Sequence, residues 1–166
     1  MMHELIILTA KYLYLIVGLI ALIYWVTVPK QEKIRLIVFG VVAVIVTFVL
    51  VKVGAALYYD PRPFVTHNVV PIYPHSPDNG FPSDHTVLTA FIAFTIFSSS
   101  KKLGVFLLVL SALIGLSRVV GHIHSPIDIV GSFVFALIGF GVATWATPYI
   151  IKRLKPSSKH KSKNVA

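Results

Sequence analysis

Arginine, histidine, serine and aspartate gather in three short clusters of this sequence. Arg62 lies between two prolines in Asp60-Pro61-Arg62-Pro63-Phe64; Ser83, Asp84 and His85 follow Pro82; and Ser117-Arg118 is followed by His124 and Asp128. Guanidinium groups grip phosphate oxygens through paired, charge-assisted hydrogen bonds, and imidazoles titrate near enough to neutrality to give and take protons. A helix start at Ser83 adds free backbone N–H groups and a dipole that favours an anion. Asp128 stands four residues after His124, close enough for a carboxylate–imidazole hydrogen bond that fixes the ring tautomer and raises its basicity. Together these groups make a cationic pocket with titratable members, suited to phosphate chemistry.

Each residue also has a plainer reading. Arg62, in its rigid turn, reads equally as an arginine that simply snorkels to lipid headgroups. Ser83 sits where an N-cap belongs. Ser125-Pro126-Ile127-Asp128 reads as an N-cap, a proline at the first helical position and an acidic third residue, so Asp128 is at the least half of a capping box. His122 competes with His124 for any role but has no acid at the matching spacing. His67, His75, Asp60 and Asp78 read as ordinary solvated residues of the 59–84 loop. His122-Ile123-His124 without a third ligand is a weak zinc signal, and with no cysteine there is no thiolate or cysteine–metal chemistry. No GxGxxG, P-loop or repeat period is present.

The elements that must position the clusters are apolar blocks. Of the 166 residues 56% are apolar and only 13% charged, with a mean hydropathy of +0.83; a water-soluble globule has about 25% charged residues. About 20 apolar residues cross a bilayer as a helix. The blocks predict an all-α membrane protein, a bundle of about five transmembrane helices: Tyr12–Val28, Leu36–Leu57 with Lys52 inside it, a short one from His85 to Phe97, Leu103–Val120 and Ile127–Ile151. Cytoplasmic loops carry the excess of lysine and arginine. Placing Lys30, Lys33 and Arg35 inside also places Lys101, Lys102 and the tail cations inside, eleven of the fifteen positive residues. The N-terminus is then outside and the C-terminus inside, and all three clusters fall at the outer membrane face. A pocket there, at the mouths of packed helices, suits a phosphate carried on a membrane anchor. The net charge of +9 is thus topological and no sign of nucleic-acid binding. Residues 1–151 read as one membrane-embedded domain, and 152–166 as a basic, disordered cytoplasmic tail whose cations suit an anionic inner leaflet.

The spacing Ser117-Arg118-x5-His124-x3-Asp128, preceded by Pro82-Ser83-Asp84-His85 and by Arg62-Pro63, resembles the three-part signature of the type 2 phosphatidic acid phosphatase (PAP2) superfamily, which also includes vanadium haloperoxidases. The third part is matched in full. The wording DPRPF, FPSDHT and SR with GHxHxPxD looks most like the bacterial undecaprenyl-diphosphate phosphatases. Two positions depart from the family pattern. Its first part has a lysine seven residues before the arginine, where this chain has Ala55; Lys52, three residues earlier on the same helical face, is the candidate replacement. Asp84 stands where many members carry glycine; at a helix N-terminus a carboxylate is favourable, and it offers a partner to Arg62 or Lys52.

The resemblance implies roles. His124 would be the nucleophile forming a phosphohistidine, with Asp128 orienting and charging its ring. His85 would be the general acid for the leaving oxygen and later the base for water. Arg62, Arg118, Ser83 and backbone N–H groups near Ser83–His85 would bind the phosphoryl oxygens, assisted by Lys52. No metal and no cofactor are needed, because the cations neutralise the charge that magnesium handles elsewhere. The implied substrate is a lipid phosphate or diphosphate, foremost undecaprenyl diphosphate, with phosphatidylglycerophosphate or phosphatidate as alternatives. A phospholipid-binding or transport protein that uses the arginines alone is the rival class. Oligomeric state leaves no mark in the sequence.

Overall fold

The computed structural model describes residues 2–154, with side chains from Glu4 onward; the expected tail from Lys155 to Ala166 lies outside the described residues. Six helices follow one another: α1 Met2–Thr27, α2 Lys30–Leu57, α3 Pro63–Thr66, α4 Asp84–Phe97, α5 Lys101–Val120 and α6 Pro126–Leu154. Four of the five expected spans, α1, α2, α5 and α6, are long and apolar enough to cross a membrane. The fifth, α4, has 14 residues and reaches only about 21 Å at about 1.5 Å per residue. The segment Leu5–Lys11, expected as an interfacial lead-in, is part of continuous α1, and α6 runs three residues past the expected Ile151.

Local chemistry sets most boundaries. Pro29 ends α1, since a residue before proline is driven out of the helical region, and itself precedes the first residue of α2. Ser100 caps α5 by accepting from the Leu103 N–H at 3.4 Å. Pro63 and Pro126 open α3 and α6 at the first helical position, where the missing N–H costs nothing. Between α3 and α4 the chain is irregular, pinned by an isolated pairing of Pro61 with Asn79.

In lipid, helices associate through close packing of small residues, since the tails are as apolar as leucine. On α6 the buried positions are Ser132, Ala136, Gly139, Ala143 and Thr147, a stripe of small side chains that lets α2 approach. A Cβ at Gly139 would run into the Ala43 carbonyl oxygen at 2.8 Å. The facing stripe of α2 is Leu36, Phe39, Ala43 and Thr47. Short α4 is the centre of the bundle, packing against α1, α2, α5 and α6, and buried Thr89 of α4 shares a 2.7 Å hydrogen bond with Ser111 of α5. Helix α1 lies on α4 and α5, its Val17 in one cluster with Ala93, Ile96, Leu107 and Ile114. Large apolar side chains such as Leu15, Leu19, Ile45 and Phe48 stay exposed, as a lipid-facing perimeter requires. At the end of the bundle where α2 begins and α4 ends, Glu32 binds Arg35 at 2.6 Å, and Arg35 donates to the Ser98 carbonyl at 3.1 Å.

Candidate active site

At the other end, the turn between α5 and α6 folds back on itself. Gly121, Ile123 and His124 donate their backbone N–H groups to the carbonyls of Ser117 and Arg118, and His122 takes a left-handed conformation with φ 58°. That kink turns His122 out to solvent and His124 inward, where it is 4% exposed. The loop carrying Arg62 is stitched to the same turn: Phe64 N–H donates to the His122 carbonyl at 3.1 Å and Ile72 N–H to Gly121 at 3.0 Å.

Asp128, wholly buried in the first turn of α6, serves both readings made from the sequence. Its Oδ2 accepts from the Ser125 N–H at 2.9 Å, the capping bond, and pairs with His124 Nδ1 at 3.1 Å. On the far side of the ring, Arg62 Nη1 lies 3.4 Å from His124 Nε2. A guanidinium only donates, so Nε2 is the acceptor and Nδ1 carries the proton toward Asp128. The lone pair of the imidazole therefore points at the arginine that would hold an anion.

Arg62 is buried and held by three groups: Asp78 at 2.7 Å, the Ile123 carbonyl at 3.1 Å and His124. Its guanidinium, through that hydrogen bond, holds the Asp78 carboxyl below the usual range. Asp84, the expected partner, is exposed and pairs with neither Arg62 nor Lys52; it stays in solvent at the very start of α4, and Asp78 has taken the arginine. Ser83 precedes α4 as expected, but its side chain caps no N–H. Its Oγ accepts from Thr86 at 3.1 Å, which leaves its own O–H to donate. The Ser83 N–H reaches Ser132 Oγ at 3.0 Å, and Ser132 donates to the Asp128 carbonyl at 2.6 Å, so α6 locks the start of α4 beside the His124–Asp128 pair. His85, half-buried, lies within charge–charge range of His124 and meets the Tyr14 ring edge-on at 4.7 Å. Arg118 is buried at the end of α5 and donates through Nη1 to the Tyr73 hydroxyl.

Lys52 does not join this group. It is exposed, with Nζ 5.3 Å from the Phe48 ring centroid. Five residues beyond buried Thr47, it stands about 140° round the helix at about 100° per residue, so it faces outward.

Several loop residues read as merely solvated are in fact built into the site. His75 is stacked on Tyr73 at 5.9 Å and edge-on to His124 at 6.4 Å; burial first, then Arg62, holds its imidazole below the ordinary value. Asp60 accepts from Ser125 Oγ, and Asp78, though exposed, braces Arg62. His67, the last of that set, is exposed as expected. Phe81, also missed, wedges between α2 and α6 against Tyr58 and Phe135, over the hollows at Gly54 and Gly131. Gly80 brings the loop so close that a Cβ there would lie 2.9 Å from Asp128 Oδ2 and 3.1 Å from the Asp60 carbonyl. Among the described residues no cluster of three His, Asp or Glu side chains is arranged to hold a metal ion.

The PAP2 superfamily pattern matches residues 33–154. The chain is 31% identical over 149 residues to the "Bacitracin transport permease protein BcrC" of Bacillus licheniformis, covering 89% of this chain and 73% of that protein. It is 33% identical over 132 residues to the "Undecaprenyl-diphosphatase BcrC" of Bacillus subtilis (strain 168), covering 77% and 66%. The crystal structure of Aquifex aeolicus LpxE superposes with a TM-score of 0.68 over 86% of each chain at 20% identity, a likeness of fold.

Proposed function

The chain belongs to the PAP2 superfamily, and from that premise we propose that it is a membrane phosphatase that removes the terminal phosphate of a lipid diphosphate, undecaprenyl diphosphate foremost. One observation carries the reading: the Nε2 lone pair of His124 points at the Arg62 guanidinium at 3.4 Å while Nδ1 is held by buried Asp128. A phospholipid clamp needs the arginines but has no use for an imidazole oriented by a buried carboxylate.

The reaction runs in two displacements. His124 Nε2 bonds to the terminal phosphorus as the bridging P–O bond breaks, and His85 gives its proton to the departing oxygen, leaving a lipid monophosphate. Asp128 stabilises the positive charge that the ring gains. Water, giving a proton to His85, then attacks phosphorus; the N–P bond breaks and inorganic phosphate leaves. Arg62, Arg118 and the Ser83 hydroxyl offer donors to the three phosphoryl oxygens, whose charge is greatest in the transition state. The chemistry needs no metal on this reading, since the two guanidiniums supply the neutralisation. The charge distribution of the loops favours a site at the outer face, with the N-terminus outside and the C-terminus inside, which suits recycling of a lipid carrier.

The name of one relative keeps transport as the second reading. Phosphate release by purified protein in detergent with EDTA separates them, offering undecaprenyl diphosphate beside phosphatidate and phosphatidylglycerophosphate. Preference for the prenyl diphosphate, abolished in His124→Ala and largely kept in His122→Ala, is the expected result. Preference for a glycerolipid keeps the mechanism and changes the substrate; no release from any of the three favours transport or binding.

A further inference from the structure

The site holds more positive charge than one phosphoryl group needs. Arg118 is 1% exposed, its Nε has no hydrogen-bond partner, and among the described residues no carboxylate lies within ion-pair distance of it or of Lys11. An unpaired cation in a membrane-embedded helix is costly and is kept for a function. Both cations lie instead against one tyrosine, Arg118 at its hydroxyl. Arg118 Cζ lies 5.8 Å and Lys11 Nζ 5.0 Å from the centre of Tyr73, a provisional cover for charge that an anion would satisfy better.

Lys11 belongs to α1, three residues and about one turn before Tyr14, and Tyr14 is the ring that meets candidate acid His85 at 4.7 Å. Helix α1 therefore brings an ammonium to the side of the site where His85 stands. The direction of the chemistry gives that side a meaning. The terminal phosphorus must come to His124 Nε2 in place of the Arg62 contact, with that guanidinium moving onto its oxygens, and the bridging oxygen must point to His85, which protonates it. The phosphate behind that oxygen, which stays on the lipid, then falls beyond His85, on the side of Tyr14 and Lys11. Neither Ala55 nor outward-facing Lys52 offers a cation there.

We propose that Lys11 binds this second, retained phosphate and so sets a preference for diphosphates over monophosphates. The assignment rests on the phosphatase reading above. A lysine suits that role, because its ammonium is a point charge on a flexible stem, able to leave the Tyr73 face and follow the substrate.

The test measures kcat/KM of purified protein for a prenyl diphosphate and for phosphatidate, in the wild type, Lys11→Met and Lys11→Arg. Inhibition by inorganic diphosphate and by orthophosphate gives the same preference where monoester turnover is slow. Lys11→Met should lower kcat/KM for the diphosphate about 10- to 100-fold, the range of one charge-assisted hydrogen bond, mainly through KM. It should leave phosphatidate hydrolysis and orthophosphate inhibition within about twofold, and Lys11→Arg should restore most of the loss. Equal losses on both substrates, or no loss on either, overturn the assignment and leave the phosphatase standing. A wild type that releases phosphate from neither, while His124→Ala behaves identically, overturns both.

Discussion

Replacing Asp128 with asparagine keeps the shape of the side chain and removes its charge. Asp128 is fully buried, and one oxygen, Oδ2, receives both His124 Nδ1 at 3.1 Å and the Ser125 N–H at 2.9 Å. The capping bond is worth about 1 kcal/mol, so its loss alone should move the melting temperature by about 2–4 °C in a chain of this size. The bond to His124 is a different matter. Breaking a buried ion pair by removing one partner costs about 3–5 kcal/mol, and that cost falls on the step in which the ring becomes positive. At about 1.36 kcal/mol per decade, kcat should fall by about two to four decades. The amide can also donate to Nδ1, which would move the ring proton to Nε2 and occupy the attacking lone pair. The assay is single-turnover phosphate release in detergent, paired with a thermal melt of the same sample. A folded Asp128→Asn protein within tenfold of wild-type kcat would refute the reasoning and reduce Asp128 to a helix cap.

Three further perturbations test the surrounding structure. Gly80→Ala should cost activity at least tenfold, by the sensitivity of catalysis to small displacements, because the new methyl would press on Asp128 Oδ2; unchanged kcat with unchanged KM would show that the loop yields freely. Lys52→Ala should leave kcat/KM within about twofold, since its ammonium sits outside over Phe48 and makes at most an exposed cation–π contact; a tenfold loss would place Lys52 in the site. His75 has its folded value held below the ordinary imidazole value of about 6.5, so between the two values the unfolded chain binds more protons and stability rises with pH. Wild type should lose more melting temperature between pH 7.5 and 5.5 than His75→Gln, and equal losses would discount the burial of that ring.

The candidate site residues stand out in the sequence because their spacing is local: His124 and Asp128 lie one helical turn apart, and the proline-flanked Arg62 and the Ser83–His85 helix start announce themselves without any knowledge of the bundle. What the sequence hid depends on how distant segments meet. Asp78 and His75 look like any polar loop residues until the loop folds over Arg62 and His124. Lys52 could have been placed from sequence by its angle to the small and apolar stripe of α2, but its nearness in number to Ala55 outweighed its angle. Lys11 and Tyr14 gave no local signal at all, because α1 lies next to α2 in the chain yet packs on α4 and α5. Charge alone pairs Asp84 with Arg62, but Asp78 reaches that arginine first.

The placement of α1 also orders the assembly of the protein in time. It precedes α4 and α5 in the chain by more than fifty residues, yet it packs against them, and the candidate nucleophile His124 comes only with the turn into α6. During synthesis α1 is therefore made well before the helices it packs on. Its docking on α4 and α5 closes a long loop, a slow class of event, and brings Tyr14 to His85. On the proposed mechanism, a nascent chain would gain activity only after α1 has docked on helices made well after it.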